Sequence, residues 1–188
     1  LKVALEEQID VVFMGAGLPL KVLSTIEPSA RENIKTKFVP KVSSARAAKL
    51  IFKHWLEKYN RIPDAIVIEG PLSGGHQGFS KNDLENPLIS LTSIVKDTIF
   101  ELDWFEQKLG KEIPVIAGGG IYNGKDMFDI MNAGAKGVKM GTRFVTTTEC
   151  DVSDEFKQNY LSCSKSDITI IDSPVGLPAR VVTNNFVK

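Results

Sequence analysis

The chain has 188 residues, 43% of them hydrophobic and 24% charged, and its 23 basic side chains balance 23 acidic ones. That length supports one domain with a sizeable core, and the composition is that of an ordinary soluble protein. A neutral chain has no overall electrostatic draw for nucleic acid or an anionic membrane, and no apolar run approaches the length of a transmembrane helix. The N-terminal residues show no basic-then-apolar secretory pattern. Cys150 and Cys163 fit neither a metal-ligand spacing nor a disulfide framework, so they read as reduced thiols in a cytoplasmic protein.

Residues 1–9 (LKVALEEQI) read as the last turns of a helix with no cap before them, so the expectation is that further sequence precedes Leu1. Residues 10–14 (DVVFM) form a buried strand closed by the loop Gly15-Ala16-Gly17-Leu18-Pro19. Residues 37–42 are the next strand, weakened locally by Pro40. Ser43 or Ser44 caps a helix over 45–59, where Ala48, Ile51, Phe52, Trp55 and Tyr59 share one apolar face and His54 takes a solvated or rim position. Residues 65–68 (AIVI) are a buried strand that runs into Glu69 and a glycine-rich stretch ending at Gly78. A long helix follows over 88–109, then a strand over 113–117 that ends in Gly118-Gly119-Gly120. A helix over 125–132 with Gly134 past its end leads to a last clear strand over 137–140, which ends in Gly141-Thr142. After Val145 the strand–helix rhythm stops. Residues 154–163 look helical, and 168–188 look like loop and hairpin, with turn signals at Pro174, Gly176 and Pro178.

Short strands without polar alternation are buried on both faces, which predicts an α/β fold with a parallel sheet. Two glycine turns then stand at the ends of consecutive strands, Gly118-Gly119-Gly120 and Gly141-Thr142. In β/α barrels phosphate groups bind where such loops meet, because backbone N–H groups reach a phosphate only where no Cβ blocks them. A single glycine turn would read as a tight connection; the pair in this order points to a phosphate cradle, with the Thr142 hydroxyl as a further donor. His76 lies between glycines in Ser73-Gly74-Gly75-His76-Gln77-Gly78, at the carboxyl end of a buried strand. An imidazole there is suited to proton transfer, where a histidine elsewhere would more simply pack a loop. Glu69 ends its strand and either faces the pocket or makes a salt bridge at the rim. Lys41 ends the strand before it and offers a cation to the same region.

Together these motifs resemble the family of nitronate monooxygenases and FMN-dependent enoyl-acyl-carrier-protein reductases. The matching elements are Gly15-Ala16-Gly17-Leu18-Pro19, residues 41–48 (KVSSARAA), Glu69 with Ser73-Gly74-Gly75-His76, residues 117–121 (AGGGI), residues 140–144 (MGTRF) and residues 174–180 (PVGLPAR). The resemblance implies a (β/α)8 TIM-barrel fold with FMN as cofactor and His76 as the residue that removes a substrate proton or assists at the flavin. It places Gly118, Gly119, Gly120, Gly141 and Thr142 around the FMN phosphate, and Lys41, Glu69, Ser73, Gly74 and Gly75 near the ring or ribityl chain. The absence of a strand-linked G-x-G-x-x-G fingerprint agrees with FMN rather than a dinucleotide. The five strands correspond to the fourth through eighth of the barrel, so an incomplete barrel over residues 1–148 is expected, with a lid or C-terminal segment over 149–188. The implied activity is oxidation of a small nitronate or carbanion-forming substrate with O2. The alternatives are NAD(P)H-dependent reduction of an enoyl thioester on the same scaffold, or a catalytically incomplete flavin-binding fragment.

Overall fold

Each predicted strand becomes a strand, and each of the first four is followed by helices or turns that return the chain to the same end of the sheet. The structure is a computed structural model and describes all residues except Glu32, Phe186 and Lys188. In chain order it runs α1 (Lys2–Glu6), β1 (Val11–Met14), α2 (Pro28–Arg31), β2 (Lys37–Val42), α3 (Ala45–Tyr59), β3 (Ile66–Glu69), β4 (Gly75–His76), α4 (Lys81–Glu85) and α5 (Leu91–Leu109). It continues with β5 (Val115–Gly118), α6 (Gly124–Asn132), β6 (Gly137–Lys139), α7 (Thr142–Val145), α8 (Asp154–Ser162), β7 (Ile168–Asp172) and β8 (Pro178–Val182). Five strands form one sheet in the order β1-β2-β3-β5-β6, and every pairing in it is parallel. β1 and β6 are its two edges, so the sheet stays open within the chain, as the expectation of an incomplete barrel requires. Among the described residues, no helix is long and apolar enough to cross a membrane.

The two faces of the sheet differ. On one face, Phe38, Val42, Ile66, Ile68, Val115 and Ala117 meet α3 and α5, which contribute Ile51, Phe52, Trp55, Val95, Leu102 and Phe105 to a continuous buried core. Burying such side chains contributes about 1.5–3 kcal/mol each, so this layer dominates the stability. The capping is explicit in the sequence: Ser44 accepts from the Ala47 N–H, and Ser90 with Ser93 forms a capping box that starts α5. Helix α5 therefore begins at Leu91 rather than at residue 88, and a separate short helix, α4, with its own Ser80–Asp83 capping box precedes it. Gly134 takes the left-handed conformation (φ 111°) just past the end of α6, as expected of a helix-terminating glycine. On the other face of the sheet, Val39, Ala65, Val67 and Ile116 form a second, smaller apolar cluster. Phe13, which pairs with Val39 and shares its side of the sheet, is 60% exposed at the open edge.

At the amino end of β3, Asp64 ties neighbouring segments together. Its N–H donates to Phe38 O (2.9 Å), and its Oδ2 accepts from the Phe38 N–H (3.0 Å) and from Arg61 (3.2 Å). Lys111 reaches Oδ1 at 3.1 Å. Burial by itself would raise the pKa of this carboxyl. The Phe38 N–H, Lys111 and Arg61 together outweigh that effect and hold it below the ordinary carboxylate value. A carboxyl lowered in the native state stabilises the fold fully above the ordinary carboxylate range. That contribution is lost as the pH falls through this range and then through the lower native value. Asp64→Asn is therefore expected to cost about 2–3 kcal/mol near neutrality. Urea unfolding at a series of pH values should show the gap from the parent protein closing on the acid side of that range.

Candidate functional site

In a parallel sheet all the carboxyl ends lie along one edge, and Lys41, Glu69, Gly118 and the glycine loops singled out from the sequence lie there. Strand register decides which side chains share a face. Glu69 pairs with Gly118, and Gly118 pairs with Lys139, so the three form one row across β3, β5 and β6. Lys41 pairs with Val67 and so faces the same side as the small Val39–Val67–Ile116 cluster. Lys41 Nζ lies 3.1 Å from Glu69 Oε1, and Lys139 Nζ lies 2.9 Å from the same oxygen. Glu69 makes a salt bridge, as one of its two sequence readings expects, and makes it to two lysines. Lys139 is a site residue that sequence reasoning missed. A lysine ending a three-residue strand shows its facing only once the register is known.

The loop after β3 lies against the loop after β5. The Gly70 N–H donates to Gly118 O (2.8 Å), and the Ser73 N–H donates back to Gly70 O (3.1 Å). Gly119 (φ 102°) and Gly120 (φ 81°) adopt left-handed conformations. A Cβ on Gly119 would lie 3.0 Å from Ser73 N and 3.1 Å from Gly70 O, and one on Gly120 would press 2.9 Å from Leu72 Cδ1. Glycine is thus required at both positions by the approach of the neighbouring loop. Gly141 differs, since a Cβ there would meet nothing within 4 Å and so faces open space. Among the described residues, the N–H groups of Gly119, Gly120 and Gly141 donate to no protein acceptor, so three backbone donors at adjacent strand ends remain available to a ligand. Thr142 Oγ1 lies 3.6 Å from where a Gly74 Cβ would stand, which brings the end of β6 to the loop after β3.

His76 is not in a free loop. With Gly75 it forms the two-residue strand β4, which pairs antiparallel with β8; Gly75 faces Arg180 and His76 faces Ala179. The order β4-β8-β7 makes a second, antiparallel sheet, built from the expected C-terminal hairpin and the glycine-rich segment. This correction has a physical reason: β8 offers an unpaired edge, and glycines at 74 and 75 present a backbone with no side chain in the way. Arg180 reinforces the junction by donating to Pro71 O (2.9 Å), and the Gln77 N–H donates to Pro178 O (2.7 Å). Gln77 is buried, its amide nitrogen donating to Ser73 O and Gly75 O, so it braces the turn from within. The imidazole of His76 is itself exposed, on a backbone fixed from both sides. Gly78 lies against Ser43, and the Lys41 stem crosses Gly15. His54 is half-buried on α3, its ring 6.0 Å from that of Tyr59, and remains apart from this edge as expected. Two concavities border α7, one lined by Tyr122, Met127, Met140, Arg143 and Phe144 and another by Gly141, Val145 and Cys150. Neither His76 nor Glu69 lines either of them.

The chain is similar to known proteins over its whole length. The family model described as nitronate monooxygenase matches residues 1–188. A probable nitronate monooxygenase of Staphylococcus haemolyticus is 32% identical over 127 residues, which is 66% of this chain and 33% of that protein. An octahydro-indene-carboxyl-CoA dehydrogenase of Rhodococcus jostii is 30% identical over 150 residues, 80% of this chain and 35% of that protein. Among solved structures, FabK from Thermotoga maritima superposes with a TM-score of 0.75 at 31% identity, over 99% of this chain and 50% of that one. The chain thus spans between a third and a half of the length of these relatives.

Two glycines separate close packing from open space. Gly119→Ala combines a left-handed φ with collision against the Gly70–Ser73 backbone, and is expected to cost roughly 2–4 kcal/mol. Gly137→Ala, whose nearest neighbour would be Ile116 Cγ1 at 4.0 Å, should stay within about 1 kcal/mol of the parent. Denaturant midpoints at constant slope measure both.

Proposed function

The chain belongs to the nitronate monooxygenase family, and from that premise we propose that it supplies the phosphate cradle and the proton-transfer residue of an FMN-dependent oxidoreductase. The single observation that carries this reading is the meeting of the loops after β3, β5 and β6 at the carboxyl ends of the parallel sheet, where three unpaired glycine N–H groups and the Lys41–Glu69–Lys139 cluster lie and from which the segment bearing His76 leaves. FMN fits the residues present. Its phosphate needs unpaired N–H donors, which Gly119, Gly120 and Gly141 offer, with Thr142 beside Gly141. Ser73, Gly74 and Gly75 would border the ribityl chain and ring, and Gly118 keeps the row between Glu69 and Lys139 low. When bound, the flavin supplies the electron acceptor for a substrate carbanion.

The protein's own share of the chemistry is proton handling and charge. His76 holds its imidazole on a strand fixed by β8, which gives a base a defined position without burying it. A carbon acid such as a nitroalkane would lose its α-proton to that imidazole, while a nitronate arrives already deprotonated. The ammonium groups of Lys41 and Lys139 draw anionic substrates to the same edge. Oxygen is the expected terminal acceptor, and the substrate is a small molecule. The hairpin of residues 168–182 belongs to a lid segment over 149–188 that packs on the β/α unit of residues 1–148. A second reading, NAD(P)H-dependent reduction of an enoyl thioester, draws on the likeness to FabK and to the Rhodococcus CoA dehydrogenase. NAD(P)H consumption with an enoyl thioester, against O2 consumption with a nitronate, separates the two. The absence of a family protein's yellow chromophore from the complete protein, even after incubation with FMN, would defeat both.

His76→Ala in the complete protein is expected to lower kcat with a nitroalkane by about two to four orders of magnitude, the usual scale for a general base. FMN content should change little. With the substrate given as its preformed anion the loss should shrink, because the proton has already left. An unchanged kcat with the protonated substrate removes His76 from the reaction.

A further inference from the structure

The cluster on the open face of the sheet contains two ammonium groups and one carboxylate. Lys41 and Lys139 both bind the same oxygen, Glu69 Oε1, at 3.1 and 2.9 Å. Among the described residues neither lysine has another ion-pair partner, so the cluster keeps a surplus of one positive charge. Lys139 reaches Glu69 by crossing the strand between them. It can do so because the intervening residue is Gly118: a Cβ there would lie 3.3 Å from Lys139 Cβ and 3.8 Å from its Cδ. The surplus charge stands on the same face of the sheet as the apolar Val39–Val67–Ile116 cluster, with the Lys41 side chain mostly buried and that of Lys139 half-exposed. The phosphate donors of the site are elsewhere, on the loops beyond the strand ends, so the surplus cation is left for a different part of the ligand.

We propose that Lys139 is a positioning residue for electron transfer, whose charge, balanced only in part by Glu69, favours the anionic reduced form of the ring bound at this edge. The inference rests on the FMN reading above. A flavin held at this edge would carry one more negative charge in its two-electron-reduced, singly protonated form than in its oxidised form. The surplus ammonium stabilises that charge and offers the neutral oxidised ring much less. Lys139 thus sets the electron affinity of the site without touching the substrate.

Sulfite tests this directly. It adds reversibly to the oxidised flavin ring and leaves it negatively charged, so its affinity reads the same electrostatics without turnover. In the complete protein, Lys139→Gln is expected to weaken sulfite binding about ten- to a hundredfold while Lys139→Arg stays near the parent value. Glu69→Gln removes the compensating negative charge and is expected to tighten sulfite binding. A merely structural salt bridge would weaken it in both neutral variants, so movement in the same direction overturns the inference, as does an unchanged dissociation constant in Lys139→Gln. If Lys139→Gln retains no flavin, Glu69→Gln decides alone: tightening supports the inference, and no change or weakening overturns it. A parent protein that binds no FMN overturns the flavin reading and this inference together, and is recognised by its lack of colour before any variant is made.

Discussion

Parallel pairing is the constraint from which the rest follows. Parallel strands need a crossover between each pair, and the crossover returns every strand to the same starting edge. All five carboxyl ends of the main sheet therefore point one way, and the loops that leave them are forced into one neighbourhood. Residues as distant in sequence as Lys41, Glu69 and Lys139 meet on one carboxylate oxygen for that reason alone. Helices α3 and α5 cover one face with large apolar side chains, which leaves the opposite face to carry the charged row.

The central strand β3 shows how the two ends of such a sheet divide their work. Just before it, Asp64 is held by a main-chain N–H, an arginine and a lysine, and this carboxylate links β2, the turn before β3 and the segment after α5. At its far end, Glu69 has two cations and faces the open side. Both acids sit in cationic surroundings, yet one is fixed by backbone geometry and the other by side chains that a ligand could rearrange. That asymmetry agrees with the general behaviour of β/α folds, in which the amino ends stabilise and the carboxyl ends react.

Much of this was legible in the sequence because it is local. The apolar runs at 10–14, 37–42 and 65–68, the serine caps of α3 and α5, the left-handed Gly134 and the hairpin turn near Gly176 all follow from residues within a few positions of one another. The glycine pairs and His76 were legible as motifs, and their likeness to a known family gave the order of the strands. What was hidden depends on distant pairing. Lys139 acquires its meaning from a register with Gly118 and Glu69, which no window of sequence contains. The ordering of Gly75 and His76 into β4 needs a strand that lies beyond residue 177. The helix α4 was missed for a different reason: its Ser80–Asp83 capping box is a local signal, overshadowed by the longer helix after it.

The attachment of β4 to β8 also affects when the site can exist. Arg180 and the Pro71 carbonyl it holds are 109 positions apart in the chain. A ribosome extends a polypeptide from its amino end at roughly 5–20 residues per second. For several seconds after β3 has emerged, the segment bearing His76 has no partner strand, and the core between α3, α5 and the sheet can already close without it. The scaffold and the candidate site are in this sense made at different times. The histidine gains its fixed backbone only when nearly the last of the residues described here have left the ribosome.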